Sequence, residues 1–222
     1  WSCSMCSQDF EQEGTMPPKP LKPEILGVKA GKLSSQIDPS RLRWFTTINF
    51  DDVPSGTDVS SHYVGVTFST VVPGGRPVYA VAWQQSAKSL PNVVTLMPPN
   101  VLSCFDARNG AIKAQFTRLQ KSVSIDALPL PTPETLDQPV TNQPFLEAFG
   151  ENDRYLGKVL YPIAYDTPGY GSWQTLTYSS SDFNIRYVLF SSQYYGAPAV
   201  YAMFDNLSFQ LSLLDIIRAA QA

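Results

Sequence analysis

The chain is poor in the side chains that most enzymes rely on. In 222 residues there is one histidine, His62, and three cysteines, Cys3, Cys6 and Cys104. Cys3 and Cys6 offer half of a zinc site, but zinc takes about four ligands and His62 is the only histidine. The Cys3–Cys6 spacing matches a redox CxxC, but no strand–helix–strand context surrounds it. The three cysteines are read instead as one disulfide plus a leftover thiol, or as a bridge between chains, with the pairing open. No GxSxG elbow, HExxH helix or phosphate-binding loop occurs. Charged residues make up only 16%, the net charge is −3 and no basic run is present. That balance excludes the electrostatic footprint of a nucleic-acid partner. No apolar run approaches the ~18 residues of a membrane-spanning helix.

What is present points to one β domain. With 43% hydrophobic residues, 11 Tyr, 12 Phe and 19 Pro, the chain can fill a core while punctuating it with turns. It starts at Trp1 without a Met, which fits a removed leader or a trimmed terminus. Together with the low charge, this sets the expectation of a secreted, extracellular protein.

Residues 1–41 differ from the rest. In MPPKPLKPEILG, Pro17, Pro18, Pro20 and Pro23 lie close together, which favours extended polyproline geometry over helix or interior strand. This segment is expected to be an extended arm, lying along its own domain or reaching a neighbouring copy. Residues 42–211 alternate short apolar runs with Gly, Pro, Asn and Ser clusters, the pattern of a sandwich or barrel. Strands are expected at RWFTTINF, YVGVTFS, VYAVAW, AIKAQFT, KSVSIDAL, PFLEAFG, RYLGKVLY, WQTLTYS, NIRYVLFSS and AVYAMFDNLSFQL. Ile112, Ala114 and Phe116 share one face of their strand, and Val123, Ile125 and Ala127 one face of the next. Residues 212–222 read as a short helix, with Ser212 as cap and Asp215 three positions on. Its apolar stripe (Leu213, Leu214, Ile216, Ile217, Ala220) must pack on the sandwich or on another subunit.

Three landmarks in this order carry a resemblance: FDDVPSGTDVSSHYVGVTFS, then PPNVL, then the closing MFDNLSF. FLEAFGENDRYLGKV adds a strand–turn–strand of the same group. Over roughly residues 44–210 the chain resembles the calcium-containing, galactose-binding-like β-sandwich modules of secreted bacterial proteins, whose jelly roll carbohydrate-binding modules share. The resemblance implies a jelly-roll sandwich in which Ca²⁺ joins acids of the first and last strands. Matched onto this sequence, Asp51 or Asp52 takes the first position and Asp205 the last, with Asn100 of PPNVL a possible carbonyl donor. Such a cation takes six to eight hard oxygens and offsets the repulsion between clustered carboxylates. Family members often carry glutamate at the first position, where two aspartates stand here. Adjacent strand residues point to opposite faces, so both reach one ion only if the strand ends there.

An enzymatic reading finds little material. His62 stands alone before a strand and reads as a surface or turn residue. Glu147, Glu151, Asp153 and Asp166 show no pairing of the kind glycoside hydrolysis needs, and alternation places Glu147 on a solvent face. Aromatic rings in loops are better material for binding: Tyr170 and Trp173 in YDTPGYGSW, Tyr194 and Tyr195 in SSQYYGAP. They are read either as a glycan platform or as packing, with Trp173 in the core at the start of a strand and the tyrosines capping the edge of the sandwich. Two functions follow. One is a non-enzymatic structural, assembly or adhesion subunit that meets neighbouring copies or other surface subunits through the arm and the terminal helix. The other is a monomeric secreted glycan-binding module.

Overall fold

The computed structural model describes residues 43–71, 78–82, 87–95, 110–129, 143–162, 172–194, 197–199 and 202–219, all within the unit Asp38–Ala222. The proline-rich segment, the three cysteines, Asn100, Tyr170 and Tyr195 lie outside the described residues.

The described residues include thirteen strands, a 3-10 turn at Glu151–Asp153 and one short α-helix, the strands arranged as a sandwich of two antiparallel sheets. The strands are β1 (Arg43–Ile48), β2 (Thr57–Asp58), β3 (Val66–Thr70), β4 (Tyr79–Ala82), β5 (Asn92–Thr95), β6 (Ile112–Gln120) and β7 (Ser122–Pro129). They continue as β8 (Gln143–Phe149), β9 (Tyr155–Leu160), β10 (Gln174–Ser179), β11 (Ile185–Tyr194), β12 (Ala197–Ala199) and β13 (Ala202–Ser212), before helix α1 (Leu213–Ala219). The seven-stranded sheet runs β10-β7-β13-β5-β4-β2, with β1 also on β13. The six-stranded sheet runs β3-β6-β11-β8-β9, with β12 on β11.

Period-two alternation explains how the sheets face each other. Ile112, Ala114 and Phe116 of β6 are fully buried, and so are Ile125 and Ala127 of β7, with Val123 nearly so. The faces expected from the sequence are the faces the core uses. Phenylalanines join the layers. Phe116 of the six-stranded sheet meets Phe209 of the other at 5.2 Å, and Phe190 meets Phe204 edge-on at 5.0 Å. Such pairs add direction to what is otherwise undirected apolar burial.

Strand β13 organises the seven-stranded sheet. One of its edges pairs with β7 from Ala202 to Ser208, while the other is divided between two strands. Residues 207–212 pair with β1, from Ile48↔Leu207 to Arg43↔Ser212, and Phe204 pairs with Val94 of β5. The change of partner falls at a register shift between Asp205 and Ser208, where Asn206 takes φ +50°. The β1 exit and the β5 entry therefore converge on Asp205. At the opposite end, β13 runs straight into α1, which is capped as its sequence predicts. The Ser212 hydroxyl donates to Asp215 Oδ2 at 2.6 Å, and Asp215 N–H donates back to Ser212 Oγ at 3.3 Å.

Candidate functional site

Two places concentrate polar chemistry, and the first is the convergence on Asp205. Past β1, Phe50 takes φ +60° and buries its ring completely, which fixes where Asp51 emerges. Asp51 Oδ1 accepts the backbone N–H of Asn92 at 2.8 Å. From the same segment, Ser89 reaches Asp205, its N–H and hydroxyl both donating to Oδ2 at 2.8 and 2.9 Å. Asn206 N–H donates to Asp205 Oδ1 at 2.7 Å. Asp205 has no exposed surface. Burial raises its pKa, the Ser89 and Asn206 donors lower it, and the nearby Asp51 charge raises it again, leaving it at about 6.

Of the two adjacent acids, only Asp51 faces Asp205. Asp52 turns away and accepts the Tyr63 hydroxyl at 2.7 Å. Burial and this carboxylate push the Tyr63 phenol well above its ordinary range. A third acid, Asp126, is the register partner of Asp205 on β7. Neutral donors occupy it: the Thr175 hydroxyl on Oδ1 and Asn206 Nδ2 on Oδ2 at 2.9 Å.

The donor chemistry at this junction fits an oxygen-loving cation. Asn92 donates its amide N–H groups to the carbonyls of Phe50 and Val53, at 2.7 and 2.8 Å, while its Oδ1 is buried without a donor. Two neighbouring carboxylates, and a buried amide oxygen without a donor on the residue whose backbone N–H binds Asp51, are oxygens of the hard kind that Ca²⁺ takes. Among the described residues no three His, Cys, Asp or Glu side chains gather to hold a metal. A cation there would draw on Asp51, Asp205 and neutral oxygens.

The second place is the outer face of the six-stranded sheet. Register puts Gln115, Tyr187, Phe149 and Tyr155 in one row across β6, β11, β8 and β9. The next row reads Lys113, Leu189, Glu147, Lys158. Tyr187 and Phe149 stack at 4.8 Å and 7°, and Tyr155 meets Phe149 edge-on at 5.6 Å. Lys113 Nζ lies over the Tyr187 ring at 4.0 Å. Because Phe149 and Lys113 come from strands on either side of β11, the Tyr187 ring stands upright between them. Its hydroxyl donates to Asp153 Oδ1 at 3.0 Å. Burial, then that carboxylate, push the phenol up to about 12. In the neighbouring row Lys158 pairs with Glu147 at 3.2 Å and lies over the Phe145 ring at 4.0 Å. Tyr155 is 56% exposed, so the row ends in an open ring.

The sequence placed Glu147 on this outer face but did not single out Tyr155, Tyr187 or Lys113. Their alternation was visible; which strands lie side by side was not. Trp173 packs half-buried against Val93, Leu128 and Met203 on the outside of the other sheet. Tyr194 ends β11 opposite Ala197. His62 is exposed, with its ring edge-on to Tyr63 at 4.8 Å.

No family model matches the chain, and no curated protein matches it. Similar solved structures include the C-terminal family 22 carbohydrate binding module of Clostridium thermocellum Xyn10B, at 6% identity over 76% of this chain and 92% of that one, with a TM-score of 0.40. The K2 cleaved adhesin domain of Lys-gingipain is similar at 13% identity, covering 75% and 99%, with a TM-score of 0.44. A cyclase from Fischerella sp. TAU is similar at 10% identity, covering 76% and 98%, with a TM-score of 0.41. Proteins so unlike in name assign no activity to this chain, whose function rests on its own residues.

Proposed function

We propose that this chain is a non-enzymatic, extracellular adhesion module that binds a glycan across the outer face of its six-stranded sheet. The observation that carries the reading is the exposed Tyr155 ring, held edge-on by Phe149, which is itself fixed by stacking on Tyr187. A ring held this way offers an apolar face to a sugar without losing rotamer freedom on binding. Gln115 and the Lys158–Glu147 pair stand in the same two rows and supply hydrogen-bond groups for hydroxyls. Glu147 is engaged by Lys158 and Asp153 by Tyr187, which suits recognition better than acid–base chemistry. Tyr170, Trp173, Tyr194 and Tyr195, the aromatics expected from the sequence, stay a second set of candidate ligand-binding residues. Calcium at Asp51 and Asp205 would stabilise the sandwich without taking part in recognition.

Binding to a glycan array, with Tyr155→Ala beside the unaltered chain, tests this reading. Binding should fall at least ~tenfold in the variant while its melting temperature stays put. Absence of binding by the unaltered chain, or unchanged binding by the variant, would overturn it.

Assembly is the second reading, and one observation favours it. Trp44, Phe45, Val64, Phe183, Ile216 and Ile217 are all at least 41% exposed, and all lie at the end of the sandwich where β1 and β3 begin and β13 passes into α1. They are six of the ten large apolar side chains exposed among the described residues, a concentration that suits a contact with a neighbouring copy. Light scattering should then report an oligomer that Ile216→Ser with Ile217→Ser reduces to monomer. A monomeric parent chain would remove the reading.

A further inference from the structure

In the row beside the aromatic rings, one charge has no carboxylate partner among the described residues, and that charge is positive. Lys158 is paired with Glu147 at 3.2 Å, and Asp153 is engaged by the Tyr187 hydroxyl at 3.0 Å. Lys113 has no carboxylate partner. It is half-buried on β6, and its ammonium is held 4.0 Å from the centroid of the Tyr187 ring. A cation–π contact restrains such an ammonium, yet a ring face cannot neutralise it or use all three of its N–H donors. The charge is therefore oriented and desolvated in part, with donors to spare.

Its neighbours define what can approach. Across the sheet, Lys113 stands in register with Ser69 of β3 on one side and Leu189 of β11 on the other. Leu189 lies between the upright Tyr187 and Ser191 along its own strand, and beyond it comes the Glu147–Lys158 pair. A sugar chain following the row Ser69, Lys113, Leu189, Glu147 and Lys158 meets neutral or paired groups except at Lys113. From this geometry we infer that the ligand is an acidic glycan, with a uronate carboxylate seated on Lys113. The inference rests on the glycan-binding reading and adds the charge of the ligand to it. A carboxylate on a half-buried ammonium forms a charge-assisted hydrogen bond, about twice as strong as a neutral one.

The probes are oligomers of galacturonate, glucuronate and mannuronate, each beside its methyl ester, which removes the charge and leaves the sugar. Calorimetry should show at least one acid form binding ~tenfold tighter than its ester, with the preference shrinking as salt rises. Lys113→Gln should bring acid and ester to equal affinity, whereas Lys113→Arg should keep the preference. Tyr155→Ala should weaken both forms together. Equal affinity for acid and ester in the unaltered chain, or a preference that survives Lys113→Gln, overturns the inference while leaving glycan binding intact. Failure to bind any of these oligomers or any glycan of a neutral array overturns both.

Discussion

Ser89 holds Asp205 with its backbone N–H and its hydroxyl together, at 2.8 and 2.9 Å to one carboxylate oxygen, across 116 positions of sequence. The same hydroxyl also donates to the Asn49 carbonyl at 3.3 Å. One small side chain thus links the β1 exit, the β5 entry and the β13 bulge. With Asp51 accepting from Asn92 beside it, the junction is a clasp between the first and last strands of the sandwich.

Calcium binding at this clasp is directly measurable. A cation that binds only the folded chain raises its melting temperature in proportion to the logarithm of ligand concentration. Added Ca²⁺ should raise the melt and a chelator should lower it. Asp205→Asn keeps the shape but removes one charge, so it should flatten the response. A melt indifferent to chelator would show that the clasp works through hydrogen bonds alone.

Without a cation, the clasp has a definite pH dependence. The Asp205 pKa is raised, mainly by burial, to about 6 in the folded chain, above its value of about 3.9 when unfolded. The folded state therefore binds the proton more tightly. The stability gained by protonation is fully present below the unfolded pKa and is lost as pH rises through about 6. In chelator, unfolding free energy should fall by about 2 kcal/mol between pH 4 and pH 7 from this group alone. Asp205→Asn should remove that slope, and saturating Ca²⁺ should oppose it. A slope that survives the substitution would assign it to other groups.

The strands and the helix cap were legible because they depend on local pattern. Ile112, Ala114 and Phe116 announce their face by alternation, and Ser212 with Asp215 announces the cap by spacing. Strands β2, β5 and the separate β12 were not legible. The first has two residues, and the second follows Pro91 directly in a run too short to show a period. The clasp was half legible. Asp51 and Asp205 could be matched, but Ser89 and Asn92 enter only through β5. The separation of Asp51 from Asp52 follows from the turn after Phe50, where Tyr63 captures the second carboxylate. The Lys113–Tyr187–Phe149–Tyr155 row was hidden for a related reason: its four members come from four strands whose neighbours only the sheet order reveals.

Two glycines should be intolerant of even a methyl group. Gly157 on β9 makes room for Tyr178 of the opposite sheet, whose hydroxyl donates to the Leu156 carbonyl at 2.8 Å. A Cβ there would stand 2.6 Å from the Tyr178 ring. Gly65 takes φ +84°, and a Cβ would collide with Leu211. Each alanine substitution should cost about 1–3 kcal/mol in denaturant unfolding. In Gly157→Ala the loss should shrink when Tyr178→Phe frees the ring from its hydrogen bond. Full stability in both alanine variants would contradict the tight packing described.

The cap of α1 ties the helix to the opposite sheet, which makes its loss readable in two ways. Burial acts to raise the Asp215 pKa, but the Ser212 hydroxyl and N–H and the Arg118 guanidinium outweigh it and hold the carboxyl below its ordinary value. Arg118 Nε lies 3.2 Å from Asp215 Oδ2, so one carboxylate caps the helix and anchors it to β6. A lowered pKa means the charged form stabilises the fold above the unfolded pKa, and that contribution disappears as pH falls through the folded pKa. Asp215→Asn should therefore cost about 1–2 kcal/mol at pH 7 and progressively less in acid, the opposite trend to Asp205→Asn in chelator. Amide exchange should show protection lost across Leu213–Ala219 and retained in β13. If exchange in the helix is unchanged in Asp215→Asn, packing of Leu213 and Leu214 rather than the cap holds α1 in place.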